Sequence, residues 1–179
     1  MKYISLVIVT ILFFSAGTLP AFPNHQENPA DRSADLEQRI SDAVLSSARY
    51  GVFDGVSFDV DGDEVVLAGF VVMPMTKEEI GRYVAKVEGI NKVTNNIEVL
   101  PLSGMDASIR RQIFNKLFST ADMYRYAMGA SPAIHIIVRG GRVSLEGVVS
   151  SEADKKIALL VSRGVPGVFS IENNLIVAD

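Results

Sequence analysis

The 179 residues carry 17 Lys and Arg against 21 Asp and Glu, a net charge of −4 that suits one or two small domains and disfavours a nucleic-acid partner. Cysteine is absent, which excludes disulfides, thiolate metal sites, cysteine nucleophiles and a lipid-modified N-terminal cysteine. A secreted chain of this kind must hold its fold by core packing alone.

The chain opens MKYISLVIVTILFFSAGTLPAFP: one charge at Lys2, an apolar run from Ile4 to Phe14, then small residues and Pro20. That order predicts a secretory signal over 1–21, with cleavage after Ala21 or, alternatively, after Gly17. As a membrane anchor the run falls short of the ~20 apolar residues that a spanning helix needs. Residues 22–35, polar and interrupted by Pro29, read as a solvated lead-in.

Leu36, Ile40, Val44 and Leu45 recur at helical spacing, with Asp35 as a candidate N-cap. Val56, Phe58 and Val60 then alternate up to Asp61-Gly62, and Val65 and Leu67 alternate after it, the pattern of a β-hairpin. Thr76 with Glu79 reads as a capping box opening a second helix whose apolar face is Ile80, Val84 and Val87. Val93, Ile97 and Val99 mark a last strand. After the short link Pro101–Met105 the same order returns. A helix carries Ile109, Ile113, Leu117 and Phe118, capped by Asp106 or Ser108. A hairpin pairs Ile134, Ile136 and Val138 with Val143 and Leu145 across Gly140-Gly141. A helix after Ser151 and Asp154 carries Ile157, Leu160 and Val161, and a strand carries Ile171, Leu175 and Val177.

Sliding the chain by 78 residues superposes residues 62–99 on 140–177 with 11 of 38 positions identical, all at turns, alternating apolar sites or Lys77 with Lys155. Two copies make a tandem pair rather than a solenoid. The helix faces Ile80 with Ile157 and Val84 with Val161 instead suggest an offset of 77, which would make Gly164 an extra capping residue after the second copy's helix. The expected fold class is α+β: two αββαβ modules, residues 36–103 and 104–179, each a three-stranded mixed sheet covered on one face by two helices. Modules this small joined by so short a link are expected to pack together.

Copy two carries the stretches IHIIVRGGRVSLEGVVSSEADKKIA and GVPGVFSIENNLIV, and copy one keeps DGDEVVLAGFV and VEGINKVTNNIEV. This ordered set, occurring twice behind a secretion signal, resembles the BON domain, a bacterial periplasmic module of osmotic-stress and outer-membrane-associated proteins. The resemblance covers nearly everything after residue 35. It implies a module that binds phospholipid or envelope surface without catalysis, with anionic phospholipid or an envelope protein as partner and a periplasmic or secreted location. Some dual-BON proteins are lipoproteins; lacking cysteine, this chain is expected to reach a membrane only through its folded surface.

The residues offer catalysis little material. His25 lies in the lead-in, and His135, between Ile134 and Ile136, is turned by alternation away from the core side, without a partner to activate it. Asp59, Asp61, Asp63 and Glu64 invite a calcium reading, but glycine falls at the fourth position and Phe70 at the twelfth, so they read as solvating a hairpin tip. Gly164-Val165-Pro166-Gly167 imitates the GxxG loop of nucleic-acid modules, yet it joins a helix to a strand. No catalytic residue, cofactor or metal is expected. Charge divides unevenly: residues 36–103 carry −5 and residues 106–179 carry +2, so any approach to anionic lipid should use the second copy.

That copy also has five extra residues before its first strand, rich in Met and Tyr. Met123, Tyr124, Tyr126 and Met128 surround Arg125, a composition suited either to a headgroup boundary or to filling the interface between modules. These five residues are the candidate lipid or partner contact. The two asparagine pairs, Asn95-Asn96 and Asn173-Asn174, are expected to satisfy backbone groups.

Overall fold

The structure is a computed structural model that describes residues 29–120, 122–128 and 132–178. The leader expected at 1–21 lies outside the described residues, as do residues 22–28 of the lead-in.

The first module runs α1 (Pro29–Leu45), β1 (Gly55–Asp61), β2 (Glu64–Val71), α2 (Pro74–Val84), β3 (Lys92–Asn95) and β4 (Glu98–Val99). The second repeats it as α3 (Gly104–Ser119), β5 (Ile134–Arg139), β6 (Arg142–Val149), α4 (Glu152–Arg163), β7 (Ser170–Asn173) and β8 (Ile176–Val177). In each, a hairpin supplies an edge strand and a central strand: β1 pairs antiparallel with β2, and β5 with β6. The last strand returns parallel to the central one, a connection that needs a crossover, and the second helix is that crossover. It is broken in two by the asparagine pair, so β3 and β4, like β7 and β8, are halves of one strand position.

The break has a physical cause. Asn95 donates from Nδ2 to the carbonyl of Lys77 at 3.0 Å and accepts at Oδ1 from the amide of Ile97. Asn173 does the same with Lys155 and Leu175. Each side chain thus anchors the strand to the crossover helix and replaces the ladder bond lost at the interruption. Both are structural, as expected.

Each helix pair covers one sheet face. Ile40, Val44, Val65, Leu67, Ile80 and Val84 are buried in the first core; Ile109, Ile113, Leu117, Ile134, Ile136, Val138 and Leu145 are buried in the second. Gly69 and Gly147 sit at the same place on the central strand, with φ of 118° and 117°. A Cβ there would strike the carbonyl oxygen of Gly55 or Ala133. Only glycine combines that backbone angle with that approach.

Four local readings change. Helix α1 begins at Pro29, so Asp35 is no cap but an interior residue paired with Arg39 at 3.0 Å, and part of the expected lead-in is helical. The cap of α3 is Ser103, whose hydroxyl accepts from the amide of Asp106. Asp106 is instead buried, its carboxylate accepting from Gly140 and Gly141 in the hairpin turn. Thr76 and Glu79 form no capping box; Pro74 starts α2, and Glu79 accepts from Ser47 and Arg49 in the loop after α1. Ser151 does cap α4, accepting from the amide of Asp154 at 3.1 Å.

The offset of 78 holds through the second helices. The buried positions of α2 are Thr76, Glu79, Ile80 and Val84, and those of α4 are Asp154, Ala158 and Ser162, so three of the four recur at an offset of 78. Leu160, expected on the core face, is 65% exposed. The amide of Val87 bonds to Val84 as that of Val165 bonds to Ser162, so no residue is inserted and Gly164 merely closes a helix one residue longer. Small Ala158 in place of Ile80 had shifted the apparent apolar face by one.

Candidate functional site

The extra residues between α3 and β5 form a short 3-10 turn, Met123–Ala127, entered through Asp122 at φ 68°. The turn divides the five candidate contact residues. Met123 is fully buried and Tyr126 nearly so, both in the second module's own core beside Phe118. Neither offers a surface to lipid in this fold, and the core they join is the one against which Val52 and Phe53 of the first module pack. Tyr124 and Met128 are 63% and 60% exposed.

Arg125 is half exposed and committed: its Nη2 donates to Asp154 Oδ2 at 2.7 Å and to the Tyr126 hydroxyl at 2.9 Å. That hydroxyl donates in turn to Asp154 and accepts from the amide of Ser150. The Ser151 hydroxyl, the Tyr126 hydroxyl and the Arg125 cation together hold the Asp154 carboxyl below its ordinary pKa. The network ties the inserted turn to the start of α4. In the first module Arg49 and Ser47 tie the corresponding loop to α2 through Glu79.

The seam between modules is built from the loop after α1. Its Val52 and Phe53 pack against the second core, Phe53 edge-on to Phe114 with centroids 6.1 Å apart. The carbonyl of Val52 accepts from the amide of Ile136, so the first module covers the open edge of β5. His135 lies here too. Alternation does turn it from the core, but that outward face is the seam: Nδ1 donates to the carbonyl of Gly51 at 3.1 Å and the ring lies 5.2 Å from that of Tyr50. Burial holds the His135 pKa below its ordinary value. Nearby Asp54 accepts from the amides of Gly51 and Val72, and burial pushes its carboxyl up. Arg110, buried on α3, donates to the carbonyl of Val138, with Asp54 and Asp106 as the compensating charges. None of these seam residues stood out by motif. The available signal was the apolar pair Val52-Phe53 inside a glycine-flanked loop.

Beside the seam opens a cleft of about 530 Å³ over the helix-free face of the second sheet. Phe70 of the first module and Ile137 form its apolar part; Arg139, Arg142, Ser144, Ser170 and Glu172 supply its polar part. Arg139 bonds to Glu98 at 3.1 Å and lies over the Phe70 ring. On the first module's hairpin tip, Asp63 accepts from Asn91 and Glu64 pairs with Lys92 at 2.7 Å, so two of the four carboxylates there serve as tethers. No described helix is long and apolar enough to cross a membrane.

The BON domain family matches the chain twice, at residues 32–101 and 106–179. No curated protein matches it. Among solved structures, a structural protein of the type III secretion system of Chlamydia trachomatis is 12% identical, with a TM-score of 0.31 over 81% of this chain and 94% of that one. The C-terminal domain of that protein is 10% identical, with a TM-score of 0.27 over 85% of this chain and 100% of that one.

Proposed function

Since the chain belongs to the BON domain family, matched in both modules, we propose that it is a non-enzymatic protein of the cell envelope that binds phospholipid membrane surface. BON domains are non-catalytic binding modules, and proteins built from them are commonly periplasmic. The carrying observation is that the two matches span almost all the described residues, leaving no further domain there to hold another activity. The charge division supports the second module as the membrane-facing one, each basic residue near an anionic surface being worth about 1 kcal/mol. The cellular role that fits is envelope maintenance or protection against osmotic stress.

The test is co-sedimentation with vesicles at low salt. The protein is expected to pellet with vesicles containing phosphatidylglycerol and to stay in solution with phosphatidylcholine alone. Absence of pelleting with the anionic vesicles would overturn the lipid reading. A cross-linked envelope protein recovered without lipid dependence would then favour the adaptor role.

A further inference from the structure

We infer that the membrane contact of the second module is its β5–β6 hairpin tip together with the adjoining cleft. There Phe169 enters the acyl boundary and Arg142 receives an anionic headgroup phosphate. This rests on the lipid reading above and adds the place and the chemistry.

The two modules act as each other's control. At the offset of 78, Asp61, Glu64 and Asn91 of the first tip become Arg139, Arg142 and Phe169 in the second. The backbone is the same, with Glu64 in register with Lys92 and Arg142 with Ser170. The chemistry is inverted. The first tip is acidic and closed on itself through Asn91–Asp63 and Lys92–Glu64. The second is basic and open: the Arg142 side chain is exposed and makes no hydrogen bond or ion pair among the described residues, and Ser170 is exposed beside it.

Phe169 is 75% exposed, the most exposed aromatic residue among those described. It is also held in place. Its amide donates to the carbonyl of Gly141 at 2.8 Å, and its ring lies across Gly141, where any side chain would collide with it. A large apolar ring fixed in water beside an uncommitted cation loses free energy in solution and regains it at a headgroup boundary. Arg139, fixed at the rim by Glu98 and Phe70, adds a second positive group, while Ile137 and Phe70 give the cleft an apolar wall. Glu172 lines the same cleft, so the preference is for one phosphate held at Arg142 rather than a broad anionic patch.

The chain contains no tryptophan, so Phe169→Trp places a single tryptophan at the tip, excited selectively over the five tyrosines. Its emission is expected to shift to the blue with vesicles of phosphatidylglycerol in phosphatidylcholine and to be quenched by brominated acyl chains. Inorganic phosphate alone is expected to leave it unchanged. Arg142→Glu is expected to weaken vesicle binding by about 30-fold, since it reverses one charge, a change of two, at the surface. Phe169→Asn should cost at least about tenfold. Both should melt as the parent does, and Tyr124→Ala should bind as the parent does. If the parent pellets with vesicles but the Phe169→Trp emission does not move, the site is wrong and the lipid reading survives. If the parent pellets with no vesicle, both fall. A shift produced by inorganic phosphate alone, equal to that with vesicles, would overturn the surface assignment in favour of a small-anion pocket.

Discussion

Gly69 and Gly147 bear the heaviest single-residue constraint in the two modules. Each combines a φ near the middle of the positive range with a neighbouring carbonyl where a Cβ would stand. Gly147→Ala and Gly69→Ala are each expected to cost at least about 1–3 kcal/mol from backbone strain alone. For a module of this size that lowers its melting temperature by several degrees or more. Gly62, at φ 61° in open space, should accept Asn almost without loss. Thermal melts of the three variants check this, and equal loss at all three would refute it. The sequence made these glycines visible as repeat positions. It could not distinguish them, because the carbonyls that crowd two of them belong to a different strand or its approach.

The elements were legible where periodicity was strong and misread where a cap was inferred from spacing alone. Thr76 and Glu79 have capping spacing, but Pro74 already starts the helix and Glu79 is drawn to Ser47 and Arg49, remote in sequence. Ser151 and Asp154 have the same spacing and do cap, because the loop contributes Arg125 and Tyr126 to the same carboxylate. That carboxylate gives a pH signature. Its folded pKa lies below the ordinary 3.8, so its contribution is complete above that value and is lost as pH falls through the lower folded pKa. The melting-temperature gap between the parent and Asp154→Asn is therefore expected to be constant at neutral pH and to close in acid below 3.8. A gap that widened in acid would contradict this origin. The composition around Met123 and Tyr126 suits either a headgroup boundary or the space between modules, and the insertion lacks the periodicity to decide; a 3-10 turn buries two of its five residues without a helical pattern to announce them.

At the scale of the molecule, the seam is expected to make the pair of modules responsive to acid. His135 faces Tyr50, the Gly51 carbonyl and Asp54 from the loop after α1, and Glu146 from β6; Arg110 on α3 stands over Asp54. Burial outweighs the two carboxylates and depresses its pKa, so the docked state prefers neutral imidazole. Docking is thus fully favoured above the ordinary value of 6.5 and weakens as pH falls below it. The opposite displacement of Asp54 acts above its ordinary 3.8, where the buried carboxylate is disfavoured. The distance between spin labels on the two modules is expected to lengthen from about pH 7.5 to about 5, near where an unburied imidazole titrates. His135→Gln should remove that change, and a flat profile in the parent would refute it.

Sequence alone determined the repeat, the αββαβ order, the mixed sheets and most of the core. These follow from alternation, helical periodicity and turn chemistry, which act over a few residues and leave their mark in order along the chain. Tertiary structure decided which outward residues stay outward. His135 and Met123 left the surface because the first module closes the edge of β5 and the inserted turn closes the second core. Phe169 and Arg142 stayed on it because none of the described residues comes to cover the second hairpin tip. Burial depends on what arrives from elsewhere in the chain, and no local pattern encodes that.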